Sequence, residues 1–182
     1  MIGTIGFLEL NSIAKGIEAA DSMLKAADVE LLMACPTCPG KYHVLISGEV
    51  SAVQASIEVG TEIGGSFVID KCIIPRINSQ VIQAIQKASE YVQVNAIGIM
   101  EFFSVTASIY AADIAVKMSD ISLIDVRLGT GIGGKSFVVL SGDVSAVRAA
   151  IDSGVADENC EGLGIANVII PSPNRELFES LL

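Results

Sequence analysis

The spacing of apolar and polar residues alternates along the chain between the pattern of a strand and that of a helix. Residues 2–10 form a nearly unbroken apolar run, which predicts a strand. Asn11 or Ser12 can cap a helix over about 13–27. The helix carries an apolar stripe at helical spacing, made of Ile13, Ile17, Ala20, Leu24 and Ala27. Strands over about 29–34 and 41–47 then flank a loop at 35–40 that is rich in Pro and Gly.

The next stretch predicts two more helices and one more strand. A helix begins near Glu49 or Ser51, and Gly60 suits its C-terminal end. A strand over 66–74 and a last helix over about 78–91 follow. The apolar residues of these two helices are Val50, Val53, Ile57, Val81, Ile82, Ile85 and Ala88. The order β-α-β-β-α-β plus a terminal helix predicts an α+β unit of the split-βαβ, ferredoxin-like type, an antiparallel sheet with helices on one face.

The whole unit is repeated. Ile5-Gly6-Phe7-Leu8-Glu9 recurs as Ile97-Gly98-Ile99-Met100-Glu101, at a shift of 92 residues. The segment 47–53 recurs as 141–147 at a shift of 94, because the loop of the second copy is two residues longer. Ile73-Ile74-Pro75 recurs as Ile169-Ile170-Pro171 at a shift of 96. The repeat therefore predicts two tandem domains, over residues 1–92 and 95–182, joined by a short segment at about 89–95.

The composition of the chain argues against two classes of partner, nucleic acids and membranes, and in favour of self-association. The 182 residues are 51% hydrophobic and carry a net charge of −10, without any run of Lys or Arg. We therefore expect no nucleic acid partner. No apolar run is long enough to span a bilayer, and the first four residues lack the basic region of a signal peptide, so we expect a cytoplasmic protein with no membrane partner. The excess of apolar residues favours an oligomer whose interfaces bury them over a monomer with a well-filled core.

One glycine-rich motif is expected not to bind a nucleotide. Residues Gly129-Thr130-Gly131-Ile132-Gly133-Gly134 match G-x-G-x-x-G, which binds a dinucleotide only when a strand precedes it and a helix follows it. Here the following segment, 135–140, has the pattern of a strand. The motif is therefore interpreted as a flexible hairpin loop.

The first-copy loop Cys35-Pro36-Thr37-Cys38-Pro39-Gly40 carries the most reactive candidate groups. Two cysteines separated by two residues, each followed by proline, have a spacing found in loops that hold iron–sulfur clusters. Such a cluster needs about four thiolates, and the chain's remaining cysteines are Cys72, in a predicted strand, and Cys160, in a predicted loop. Spacing alone leaves open whether the loop thiols bind metal or stay reduced. If three chains brought this loop to one axis, each would need to supply only one cysteine.

The residues support no catalytic site. The chain has a single histidine, His43, and Glu9 and Glu101 occupy equivalent strand positions, which favours a structural role for both. We therefore expect the protein not to be an enzyme.

Several runs together resemble the shell domains of bacterial microcompartments. They are residues 25–31, the Gly48-Glu49-Val50-Ser51-Ala52-Val53 run and Ile73-Ile74-Pro75-Arg76. The resemblance covers both copies and implies a tandem-domain shell protein that forms homotrimers with six-fold pseudo-symmetry, tiles with other shell proteins and lies in the microcompartment shell. It implies that Lys25, Lys117 and Arg76 meet neighbouring tiles; the second copy has Ser172 where the first has Arg76. It also implies that the loops 35–40 and 127–134 line a central pore.

The chain is most similar to the tandem-domain shell proteins of propanediol-utilisation microcompartments that carry an iron–sulfur cluster. The shared pieces are Leu8-Glu9-Leu10, the run 12–16 and Cys38-Pro39-Gly40-Lys41. This resemblance implies one 4Fe–4S cluster per trimer, held on the three-fold axis by Cys38, with Cys35 as an accessory or inert thiol. Electron transfer across the shell, or cluster delivery to enclosed redox enzymes, would follow. The alternatives are a shell trimer with an open, metal-free metabolite pore and a soluble trimeric sensor module that binds a ligand.

Overall fold

The sequence repeat folds as two four-stranded antiparallel sheets, each with two long helices packed on it. The computed structural model describes residues 3–89 and 95–179, and the chain divides into two compact units, Met1–Ile77 and Asn78–Leu182. The predicted α+β class and element order are confirmed. The predicted end of the first domain at residue 92 lies in the segment 90–94, outside the described residues. None of the helices in the described ranges combines the length and apolar character that a bilayer span needs.

The described part of the first unit contains four strands, in the order β2-β3-β1-β4, and two α-helices. They are β1 (Thr4–Leu10), α1 (Ile13–Ala26), β2 (Val29–Thr37), β3 (Lys41–Gly48), α2 (Val50–Gly64) and β4 (Val68–Pro75). Ser12 caps α1 by accepting the Lys15 N–H, as its position before the apolar stripe predicts. The core lies between the sheet and the two helices and includes Leu8, Leu10, Met23, Val53 and Ile57.

The second unit repeats this arrangement, with strand order β6-β7-β5-β8. Its elements are α3 (Ser79–Ile85), β5 (Ala96–Phe102), α4 (Val105–Met118), β6 (Ile121–Leu128), β7 (Ser136–Gly142), α5 (Val144–Val155), β8 (Gly164–Pro171) and α6 (Arg175–Glu179). The short helix α6 rests on the helix-free side of its own sheet, where Phe178 packs with Ile97, Ile124 and Val139.

Helix α3 closes the first sequence repeat but packs within the second unit. The Asn78 N–H donates to Asp113 Oδ1 of α4 at 2.9 Å. The Gln80 side-chain oxygen accepts the Leu123 N–H of β6 at 3.0 Å. The helix ends at Ile85, earlier than the predicted 78–91, and residues 90–94 of that range are outside the described part of the chain.

Two further boundaries differ from the sequence prediction. Strand β2 runs to Thr37 through Pro36, although a loop was predicted from residue 35. Proline is tolerated there because β2 lies at the sheet edge, where one side of the backbone has no strand partner. Helix α2 continues past Gly60 to Gly64. Gly60 lies inside the helix at the point where α2 packs on Met23 of α1, and an added Cβ would lie 2.5 Å from the Met23 sulfur. Close packing, and not the end of the helix, therefore accounts for this glycine.

The predicted apolar stripe of α1 lies mostly on the exposed side of the helix. Ile13, Ile17 and Leu24 are exposed, and Ala20 is the one stripe residue in the core. The helix instead packs through small residues and one methionine, Gly16, Ala19, Ala20 and Met23. Helix α1 therefore has two apolar sides, and one of them remains uncovered in the single chain.

Candidate functional site

The tip of the β2–β3 hairpin presents Cys38. The Gly40 N–H donates to the Thr37 carbonyl at 2.9 Å, which closes a four-residue turn with Cys38 and Pro39 at its two central positions. Gly40 has φ +84°, a conformation that favours glycine. Cys38 is exposed. The turn is short and contains a proline, so it holds the thiol at the tip with few alternative conformations.

Cys35 lies in a different environment from Cys38. It belongs to β2 and pairs directly with His43 of β3, so the two side chains share one face of the sheet. The thiol is half-buried, and this burial raises the pKa of Cys35. The predicted cysteine loop is therefore split between one thiol at the hairpin tip and another set back within the strand.

The other two cysteines are poor metal ligands. Burial, aided by the charge of Asp70, raises the pKa of Cys72 to about 12. Burial, together with Asp157, raises the pKa of Cys160 to about 11, and its Sγ donates to the Ala107 carbonyl at 3.3 Å. Cys160 lies in a short helical turn, Glu158–Cys160, and not in an open loop. Within residues 3–89 and 95–179, no three His, Cys, Asp or Glu side chains converge as a metal site.

The equivalent hairpin of the second unit carries no thiol. Its loop joins β6 to β7, so a strand follows the glycine motif as predicted. Gly129, Gly131, Gly133 and Gly134 all have positive φ, a conformation that favours glycine. Ile132, which the repeat aligns with Cys38, is half-buried. The two hairpins of one chain therefore differ in chemistry, and only the first can bind metal through sulfur.

A charge cluster of Glu9, Lys41 and His43 lies at the base of the cysteine hairpin, and no role for His43 could be predicted from its place along the chain. Glu9 Oε1 accepts from Lys41 Nζ at 2.9 Å and lies 3.1 Å from His43 Nε2. Glu9 and His43 are buried, and Lys41 directly follows the turn residue Gly40. Burial alone would raise the pKa of the Glu9 carboxyl, but the hydrogen bonds from His43 and Lys41, with their charges, bring that pKa below its ordinary value.

The second unit retains only part of this cluster. Lys135 Nζ lies 3.1 Å from Glu101 Oε1, but both side chains are substantially exposed. Phe137 replaces the histidine, and Arg127 lies over its ring at 5.7 Å from the centroid. A glutamate and lysine that recur together in both copies are the signal by which sequence comparison could have found the pair. The imidazole belongs to the cysteine-bearing copy alone.

The three residues predicted at tile edges are all at the surface. Lys25 and Lys117 lie in the last turns of α1 and α4 and contact Asp21 and Asp113 one turn earlier. Arg76 is exposed and has φ +53°, and its counterpart Ser172 has φ +47°. The same left-handed corner therefore follows the last strand of each sheet.

The chain is similar to known proteins over its whole length. The BMC domain model matches residues 4–77 and 96–173. The chain is 41% identical to the bacterial microcompartment shell protein PduT of Citrobacter freundii, over 100% of this chain and 99% of that protein. It is 27% identical to the carboxysome assembly protein CcmO of a Synechococcus strain, over 98% of this chain and 68% of that protein. A microcompartment protein of Desulfitobacterium hafniense has a solved structure that superposes with a TM-score of 0.92 at 47% identity, covering 98% of this chain and 99% of that one.

Proposed function

The chain belongs to the BMC domain family of bacterial microcompartment shell proteins, and on that premise we propose that it forms homotrimeric shell tiles whose central pore holds an iron–sulfur cluster. Its structural role in the shell follows from the family and from the match to shell proteins over its full length. The trimer, the cluster and the residues assigned to them are our proposal. We assign it no catalysis.

The observation that carries the cluster proposal is the placement of Cys38. It is exposed at the tip of a short turn, in the copy whose hairpin has a buried charge cluster beneath it, and the second copy has no thiol there. Three chains would supply three thiolates, whereas six equivalent hairpins with a cysteine each would supply more than a 4Fe–4S cluster binds. Thiolates are the ligands that such a cluster takes. Three of them would leave one of its four irons without a protein thiolate.

Each residue around the hairpin has a defined part in this proposal. A bound 4Fe–4S cluster supplies one-electron transfer. Cys38 would hold it, and the Gly40 turn fixes the direction of that thiol. Glu9 anchors Lys41, which keeps a positive charge three residues from Cys38. Cys35 is not required as a ligand, because it is set back in β2.

The remaining assignments concern the pore and the tile edges. The residues proposed to line the pore are Pro36, Thr37, Pro39, Gly40 and those of 129–134. Lys25, Lys117 and Arg76 are proposed to contact neighbouring tiles, and enclosed redox enzymes are the proposed electron partners. The long stem of an exposed lysine can pack on an adjoining apolar surface while its ammonium group donates to carbonyls.

The test compares wild type with Cys38→Ser and Cys35→Ser, purified without oxygen and reconstituted with iron and sulfide. We expect wild type and Cys35→Ser to bind iron and sulfide with the paramagnetic signal of a reduced cluster, and Cys38→Ser to bind neither. A cluster retained by Cys38→Ser, or absent from reconstituted wild type, contradicts the assignment. In the second case the open, metal-free metabolite pore becomes the better account.

A further inference from the structure

A cysteine, a histidine and a glutamate form a row across three neighbouring strands of the first sheet. Cys35 of β2 pairs directly with His43 of β3, and His43 pairs directly with Glu9 of β1. Residues paired in this way have their side chains on the same face of the sheet, with Cβ atoms roughly 4.5–5.5 Å apart. The imidazole of His43 therefore lies between a thiol on one side and a carboxylate on the other.

The imidazole ring is held in one orientation. His43 is buried, its Nε2 lies 3.1 Å from Glu9 Oε1, and the Phe7 ring contacts it edge-on with the centroids 5.1 Å apart. Because the pKa of Glu9 is lowered, its carboxyl group is ionised at neutral pH and can only accept hydrogen bonds. Nε2 therefore carries a proton and donates a hydrogen bond to Glu9.

The other ring nitrogen of His43 can take up a proton. When Nε2 is protonated, Nδ1 of the neutral ring has none and is an acceptor. Nδ1 is buried and has no hydrogen-bond partner among the described residues. The two nitrogens lie on opposite sides of the ring, so that with Nε2 turned toward β1, Nδ1 faces β2, where Cys35 is the paired residue. A buried base without a partner therefore faces a thiol.

The thiol of Cys35 is one that needs a base in order to react. Burial raises its pKa, so the group is mostly protonated at neutral pH, whereas the thiolate is the nucleophile. A thiol beside a base that is itself oriented by a third group is the arrangement by which proteins activate cysteines. The second copy pairs Arg127 with Phe137 at the equivalent positions, so only the first copy has this arrangement.

The charges near the ring allow His43 to carry a proton for a short time. The charged groups on this face of the first sheet beside His43 are Glu9, Lys41 on β3 and Asp70, which pairs with Glu9 from β4. Lys41 Nζ shares Glu9 Oε1 at 2.9 Å and balances the charge of the carboxylate in the resting state. A proton on Nδ1 would turn the neutral contact between Nε2 and Glu9 into an ion pair, which stabilises the imidazolium.

We propose that Cys35 is a modification site that reacts with small disulfides, with His43 as its base and Glu9 as a positioning residue. The proton of the Cys35 thiol passes to His43 Nδ1, and the thiolate sulfur attacks one sulfur of the disulfide. A new S–S bond joins Cys35 to one half of the reagent. The other half leaves with the electron pair of the broken S–S bond and takes the proton back from the imidazolium. The product is a mixed disulfide three residues from Cys38, and its formation does not depend on a bound cluster.

The test measures how fast Cys35 is modified in the full-length Cys38→Ser protein without metal. Hydroxyethyl disulfide is the reagent, and intact-protein mass spectrometry with peptide mapping follows the adduct; the buried Cys72 and Cys160 should stay unmodified. His43→Phe introduces the residue of the second copy and is expected to slow the reaction roughly tenfold or more near neutral pH. His43→Gln should slow it equally, because an amide can donate to Glu9 but cannot act as the base.

The dependence on pH and a second thiol separate a base from a packing role. In both His43 variants the rate at Cys35 should rise about tenfold per pH unit through neutrality, because only the thiolate reacts, whereas with His43 present it should change much less. In Cys35→Ser, the exposed Cys38 should react at a rate that His43→Phe leaves unchanged. Equal rates at Cys35 with and without His43, or an equal slowing at Cys38, would overturn the proposal.

Discussion

Replacing Glu9 by Gln removes a buried charge while keeping the shape of the side chain. One oxygen of Glu9 receives hydrogen bonds from both Lys41 and His43. A hydrogen bond to a charged group contributes about 1 kcal/mol more than a neutral one, so two such bonds predict a loss of about 2 kcal/mol. For a chain of this size each kcal/mol shifts the melting temperature by about 2–4 °C, so we expect Tm to fall by about 4–8 °C.

The second copy supplies the control. Glu101 makes the equivalent contact to Lys135, but both side chains are substantially exposed, and exposed ion pairs contribute about 0–1 kcal/mol. Thermal melts followed by circular dichroism at one protein concentration should therefore show Glu101→Gln close to wild type. Equal shifts in the two variants, or no shift in Glu9→Gln, would refute the view that burial makes the first pair important.

The lowered pKa of Glu9 adds a dependence on pH. A carboxyl whose pKa is lower in the folded than in the unfolded protein stabilises the fold above its ordinary value, 4.5, and this stabilisation disappears as pH falls through the folded pKa. The Tm difference between wild type and Glu9→Gln is therefore expected to be largest near neutral pH and to shrink below about pH 4.5. A difference that stays constant across this range would show that the charge is not its cause.

Three further substitutions probe packing, capping and assembly. Gly16→Ala should destabilise the protein by about 1–3 kcal/mol, because its Cβ would lie 2.4 Å from Tyr42, whereas Ser108→Ala at the equivalent position should lower Tm much less. Ser12→Ala removes the α1 cap and should cost about 1 kcal/mol in the free energy of unfolding measured by urea titration. Lys25→Ala should reduce the extended sheets seen by electron microscopy and leave the trimer mass unchanged; intact sheets would count against its role at the tile edge.

Local patterns were sufficient for the element order and for the hairpin that presents Cys38. A strand or helix period, a cap such as Ser12 and a proline–glycine turn each depend on neighbours a few residues apart, and all of them can be read along the chain. The repeat also predicted the two-domain architecture, because two copies of one sequence pattern predict two copies of one fold. The difference between the cysteine hairpin and the glycine hairpin was equally visible in the sequence.

What the sequence could not decide depends on residues that are distant along the chain. Helix α1 has apolar residues on two sides, so periodicity could not tell the core side, with Gly16 and Met23, from the open side, with Ile13 and Ile17. The role of His43 required the register that sets β3 beside β1 and opposite Glu9. The terminal helix of the first repeat packs in the second unit because the partners of Asn78 and Gln80 lie there. Such contacts form only when the chain folds back on itself, and local sequence patterns do not specify which distant surfaces will come into contact.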